Sequence, residues 1–199
     1  CWDYNKKSGK MEKNIGRLFT VLVLVCFLSS GCSRKKTTME STGTGQTIKD
    51  FSIEFFGDSF KANLKGEAAE KKSSDSNASV AKPSLEINSK NFVVQINTGP
   101  KGSGEVFLDS STQNIEKIVI KNNITVVQKN PETSQVNFTA KCDQLTYIEK
   151  DETVIMEGSP ELVQGLNKYK ADKIVYNLNE NRLKFEGNVQ IFFKKGSVN

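Results

Sequence analysis

The feature that most narrows what this chain can fold into is an internal repeat. Residues 141–164 (KCDQLTYIEKDETVIMEGSPELVQ) align without gaps on residues 170–193 (KADKIVYNLNENRLKFEGNVQIFF), at an offset of 29 residues. Lys141 matches Lys170, Asp143 matches Asp172, Tyr147 matches Tyr176, and Glu157-Gly158 matches Glu186-Gly187. Apolar positions coincide too: Leu145 with Ile174, Val154 with Leu183, Met156 with Phe185, and Leu162 with Ile191. Each copy reads as strand, polar turn, strand, glycine break, strand. Such a unit cannot cover its own apolar face and must stack on neighbours.

The rest of the chain follows the same period. Phe51, Ile53 and Phe55 alternate, Gly57-Asp58 is a turn signal, and Phe60, Ala62 and Leu64 alternate again, which predicts an opening hairpin over 48–64. Further on, Leu85 and Ile87; Phe92, Val94 and Ile96; Val106 and Leu108; Ile118 and Ile120; and Ile124 and Val126 hold every second position. Gly, Asn and Pro break these runs at 99–100, 102–104, 122–123, 130–131, 159–160 and 179–181. Helical spacing is not sustained, and β-branched and aromatic residues predominate, so the expected fold is all-β. A chain of 199 residues with 36% hydrophobic content holds one core, assigned to residues 48–199. Residues 67–83 are poor in large apolar side chains and predict a mobile loop within it.

The front of the chain reads as targeting sequence. The apolar run at 18–28 (LFTVLVLVCFL) follows Lys13 and Arg17 and precedes Ser29, Ser30 and Gly31. As a helix it would rise roughly 16 Å, about half of a bilayer core, which favours a signal peptide at 11–31 over a permanent transmembrane helix. Met11 is the natural start, leaving 1–10 as an upstream extension. The sequence LSSGC ending at Cys32 resembles a bacterial lipobox and marks Cys32 for lipidation, with ordinary cleavage nearby as the alternative. Residues 32–47 are rich in Lys, Thr, Ser and Gly and predict a flexible tether. Removing 1–31 takes away five basic residues against Asp3 and Glu12, so the net charge falls from +5 to +2. A chain that close to neutrality, with Lys and Glu interspersed, carries no electrostatic footprint for nucleic acid.

The unit A-D-x-x-x-Y, polar turn, apolar strand, E-G, apolar strand resembles the repeat of the OstA/LptA-like lipopolysaccharide-transport family, which includes an LptC-like branch. Its clearest copy here is ADKIVYNLNENRLKFEGNVQIFF, and a degraded copy covers 104–128, with Asn122 near the glycine position. The resemblance implies a twisted, open-ended antiparallel β-jellyroll whose interior holds acyl chains. It implies a periplasmic setting in a Gram-negative-type envelope and a bridge between inner and outer membranes in outer-membrane assembly. The implied partners are lipopolysaccharide or a related glycolipid, other β-jellyroll Lpt components docked through edge strands near Phe51 and over 189–193, and a membrane reached through the Cys32 anchor.

A lipid carrier needs an apolar lining and no reaction step. The alternating positions that would form the lining are Ile118, Ile120, Ile124, Val126, Leu145, Tyr147, Val154, Met156, Leu162, Ile174, Tyr176, Leu183, Phe185, Val189 and Ile191. The same residues would equally serve as the plain core of a β-sandwich. Asp143 and Asp172, and Glu157 and Glu186, recur at repeat positions, which points to turn and edge roles rather than to catalysis. With no histidine, and only Cys142 left besides Cys32 after processing, the chain offers no nucleophile motif, metal set or cofactor fingerprint. The expectation is a non-enzymatic protein. A structural or adhesive surface lipoprotein, with a β-repeat scaffold and no lipid transport, is the alternative.

Overall fold

The protein is described here by a computed structural model, over residues 39–42, 45–72 and 77–193. Alternation of apolar and polar residues becomes strands throughout: β1 (Met39–Thr42), β2 (Gly45–Phe56), β3 (Phe60–Lys72), β4 (Asn77–Ala81), β5 (Ser84–Ser89), β6 (Val93–Thr98), β7 (Ser103–Leu108) and β8 (Ile115–Lys129). They continue as β9 (Val136–Ile148), β10 (Thr153–Glu157), β11 (Glu161–Gln164), β12 (Asn167–Lys170), β13 (Lys173–Asn177), β14 (Arg182–Glu186) and β15 (Gln190–Phe193). Every pairing is antiparallel, and the result is the all-β fold expected from the alternation, in the β-jellyroll form that the family resemblance implied.

Two sheets share four long strands. The first sheet runs from residues 51–56 of β2 through 60–66 of β3, β5, β6, 124–129 of β8, 136–142 of β9, β11 and β12 to β15. The second runs from β1 through 45–49 of β2, 68–72 of β3, β4, β7, 115–121 of β8, 144–148 of β9, β10 and β13 to β14. At one end β14 and β15 have no further partner strand among the described residues; at the other, β1 and residues 51–56 of β2 are the edges.

A strand that passes from one sheet to the other must bend sharply, and in β8 the break residues of the degraded repeat do the bending. Asn122 and Asn123 have φ of 75° and 52°, and between Lys121 and Ile124 the β8–β9 register slips. Gly158 and Ser159 between β10 and β11, and Gly187 and Asn188 between β14 and β15, repeat this left-handed pair. Glycine and asparagine tolerate that region at little cost, which explains why the degraded copy keeps Asn where the others have Gly. The glycines are also sites of close approach. A Cβ on Gly158 would lie 2.8 Å from Cβ of Asp143, and one on Gly187 would lie 2.9 Å from Cβ of Asp172. The repeated Asp and Gly are therefore partners across each corner. In the β3 crossing, a Cβ on Gly66 would meet the Phe51 ring and Val80, both at 2.7 Å.

Two expectations are corrected. Residues 67–83, expected as a mobile loop, hold the second half of β3 and all of β4, paired Ala68 to Ala81 through Lys71 to Ala78. That ladder is carried by small side chains, with Val80 its one large buried residue, so hydrophobic patterning does not reveal it. Within the expected tether at 32–47, Met39–Thr42 and the start of β2 form a backbone-paired hairpin. The upstream extension at 1–10, the signal peptide at 11–31, Cys32 and the tether residues 33–38 and 43–44 lie outside the described residues.

Inward side chains of both sheets form one hydrophobic cluster from Phe51 to Leu178. Aromatic contacts join the layers: Tyr147 of the second sheet meets Phe55 and Phe60 of the first at 5.7 and 6.3 Å, and Tyr176 meets Phe92 and Phe138 at 6.0 and 5.5 Å. Cys142 lies within the same cluster beside the β8–β9 register slip, where burial, and secondarily the charge of Asp143, push its thiol up to about 12.

Two outcomes follow. Gly165, in the β11–β12 turn, has φ of 59° and nothing near its missing Cβ, so Gly165→Ala should cost about 1 kcal/mol of backbone strain. Gly158→Ala adds overpacking of about 1–3 kcal/mol, and urea unfolding of both variants should rank them in that order; equal losses would reject the corner-contact explanation. Peptide mapping after alkylation should find Cys142 unmodified in the native protein and modified in urea, because a buried thiol at that pKa offers almost no thiolate.

Candidate functional site

The space between the sheets collects most of the residues that the alternation singled out. Ile118, Ile120, Ile124, Val126, Leu145, Tyr147, Val154, Met156, Leu162, Ile174 and Tyr176 are fully buried there. Leu183 and Phe185, on edge strand β14, are half-buried against the cluster, and Phe185 stacks on Tyr169 of β12 at 5.2 Å. Val189 and Ile191 do not join the interior: each is 47% exposed. The repeat matches Ile191 to Leu162, but Leu162 sits on β11 between β9 and β12, whereas among the described residues β15 pairs only with β12. Exposure at these positions goes with the absence of a covering strand among the described residues, not with the residue type.

The interior therefore ends in an apolar edge. Val189, Ile191, Phe192 and Phe193 are exposed along β15 and the corner before it, beside the half-buried face of β14, and Leu166 is exposed in the β11–β12 turn. The edges named from the sequence are partly as expected: β15 is one, while at the other end Phe51 itself is buried although its strand is the edge.

Opposite the corners, strand-end turns from the two sheets meet through polar contacts that sequence reasoning missed. Gln128 Nε2 donates to Tyr176 Oη at 3.2 Å and to Asn181 Oδ1 at 3.0 Å, and the Tyr176 hydroxyl donates to Asn181 Oδ1 at 2.6 Å. Ser59 Oγ donates to Asn179 Oδ1 at 2.8 Å, and the Asp58 backbone N–H donates to the buried carboxylate of Glu152. For Gln128 the signal was present, since it continues the inward parity of Ile124 and Val126. Glu152 sits in a turn, where periodicity carries no information. Burial raises the Tyr176 hydroxyl to about 12, against the lowering effect of the Gln128 hydrogen bond. Burial, and then the charges of Glu149 and Glu152, raise Tyr147 as well.

The repeated carboxylates are structural. Glu186 accepts from Lys173 at 2.6 Å and Lys184 at 2.8 Å, and those hydrogen bonds hold its carboxyl down at about 2. Across the β10–β13–β14 ladder, Lys173 stands in register between Glu157 and Glu186, while Asp172 accepts from Asn188 at 2.8 Å. Among the described residues no group of three or more His, Cys, Asp and Glu side chains is placed to hold a metal ion.

The architecture matches that of LptH, described as the LptA homologous periplasmic component of the conserved lipopolysaccharide transport device from Pseudomonas aeruginosa. The match has a TM-score of 0.50 at 13% identity and covers 67% of this chain and 95% of LptH, a likeness of fold. No curated protein matches in sequence. The profile of the family described as LptA/(LptD N-terminal domain) LPS transport protein matches residues 70–182, from the end of β3 to the start of β14. That span is more than half of the chain and contains the crossing strands β8 and β9, the first corner pairs and most of the buried interior, so this protein belongs to the LptA/LptD N-terminal domain family of LPS transport proteins.

Proposed function

We propose that the protein carries lipopolysaccharide or a related glycolipid through the periplasm of a Gram-negative-type envelope, as a bridging element between the two membranes. The observation that carries this reading is the apolar interior running out into an uncovered end at β14 and β15, where Leu183 and Phe185 are half-buried and Phe193 is 75% exposed. Each acyl methylene taken from water gains about 0.8 kcal/mol, so a lipid needs only apolar surface and a way in. Transfer then requires no bond to be made or broken, and the protein acts as a carrier and not as an enzyme.

The same end supplies the docking element. Edge strands β14 and β15 offer unpaired backbone groups, and an incoming β-jellyroll component can extend both sheets by strand addition. Two such joints in series would give a continuous apolar track. A lipid on Cys32 would tether the carrier to a membrane.

One observation favours the other reading, a structural or adhesive scaffold. The interior residues pack against one another with almost no exposure, so a carrier must part its sheets to admit acyl chains. The sheets are tied at their free margins by few polar contacts, chiefly those of Gln128, Ser59 and Glu152, which makes parting there the least costly route.

Expression of the full chain in a Gram-negative periplasm, followed by mass spectrometry of the purified protein, should find glycolipid in about one-to-one amount. Folded Phe185→Asp should lose it. A well-folded wild type that carries none and takes none up when supplied with lipopolysaccharide would leave the scaffold reading in its place. For docking, Phe192→Asp with Phe193→Asp should abolish association with a β-jellyroll partner while changing unfolding free energy by less than about 1 kcal/mol, since both side chains are exposed. Unchanged association, read by analytical ultracentrifugation, would remove this edge from the proposal.

A further inference from the structure

A cleft of about 360 Å³ opens between the free margins of the two sheets, bordered by the β8–β9, β11–β12 and β13–β14 turns. Five carboxamides line it, those of Gln128, Gln135, Asn137, Gln164 and Asn181, together with the Tyr176 hydroxyl. No charged side chain contributes to the lining. An acyl chain would find too many polar atoms there, and a phosphate would find no cation to hold it.

The floor of the cleft is amphipathic in a specific way. Tyr176 turns its ring into the aromatic cluster with Phe92 and Phe138 while its hydroxyl is locked by Gln128 and Asn181. Gln128 is 3% exposed, and its carbonyl oxygen has no hydrogen-bond partner. A buried carbonyl without a donor is a position that a fold seldom retains unless something outside the chain supplies the donor. Its own amide is already committed to Tyr176 and Asn181, so the carbonyl oxygen is the atom left to accept from a donor such as a ligand hydroxyl. The surrounding carboxamides both donate and accept, which matches a ring bearing several hydroxyls, and the aromatic floor suits that ring's apolar face.

We propose that this cleft binds a neutral, polyhydroxylated saccharide, with Gln128 accepting a sugar hydroxyl and the Gln135, Asn137 and Gln164 amides holding the rim. The ligand is either the sugar portion of a carried glycolipid or a free oligosaccharide. The first source rests on the carrier reading above; the second does not.

The test is titration of the full-length protein, with the side-chain amide signals of Gln and Asn followed by nuclear magnetic resonance. Three probes are used separately: maltotriose, the lipid-free saccharide released from lipopolysaccharide by mild acid, and inorganic phosphate. At least one saccharide should move the Gln128, Asn137 and Asn181 signals, and phosphate should not. Response to the released saccharide alone assigns the source to a glycolipid, and response to maltotriose alone assigns it to free oligosaccharide. Gln128→Met should weaken the response by about tenfold, the loss of one buried hydrogen bond. A combined Gln135→Ala and Asn137→Ala variant, altered only at exposed positions, should weaken it even if Gln128→Met fails to fold. No movement with either saccharide at roughly millimolar concentration, or equal movement with phosphate, overturns the proposal. Glycolipid content of the same preparations is measured in parallel, so that lipid present without saccharide response rejects this site alone, and saccharide response without lipid rejects the carrier reading alone.

Discussion

A strand cannot serve two sheets unless its backbone turns a corner, and in this protein four of the longest strands do serve two. Within β8 the turn is made by the left-handed pair Asn122-Asn123, and pairs of the same kind, Gly158-Ser159 and Gly187-Asn188, link β10 to β11 and β14 to β15. At each glycine corner the backbone passes so close to an aspartate, Asp143 of β9 or Asp172 just before β13, that a side chain would collide with it. The recurring pair of the repeat, Asp opposite Gly, is thus the geometry of the fold rather than of a reaction. Without those corners the two apolar faces would lie in one plane and could not cover each other.

Once the corners bring the faces together, the packing is ordinary sandwich packing in the middle and incomplete packing at the end. Each repeat covers the apolar face of the one before it, as stacked repeats do. Leu162 is sealed because β12 follows it, and Ile191 is exposed because nothing follows β15 among the described residues. An interior of this kind has no natural terminus: it can be continued by another sandwich of the same construction or by lipid. Both possibilities use the same physical quantity, apolar surface left uncovered at a sheet edge.

At the free margins the closure is polar and sparse. Gln128, Tyr176 and Asn181 form one connected set, Ser59 and Asn179 another, and Glu152 ties its turn to Asp58. Such contacts are individually worth little net of solvation, but unpaired groups among them are costly. The orphaned Gln128 carbonyl therefore weighs more in the interpretation of the margin than the hydrogen bonds that are made.

How much was legible beforehand differs by element. Alternation located the inward residues from Ile118 to Tyr176, and the 29-residue repeat located the corners at Gly158 and Gly187, because period and break residues are local properties of the chain. The second half of β3 and β4 escaped notice because backbone ladders between alanines, serines and lysines leave no hydrophobic trace. The fate of Val189 and Ile191 was also beyond the sequence: their pattern is that of buried residues, and whether a face is covered depends on what stacks against it. The alternating strands, the repeat period, the corners at Asn122, Gly158 and Gly187 and the family resemblance could be read from residue type and spacing. Tertiary structure alone decided which apolar faces are sealed, which edges stay open, and that Gln128, Tyr176 and Asn181, up to 53 residues apart, meet at one margin. Those are outcomes of how separated strands pair, and pairing over such distances is not written in any local pattern.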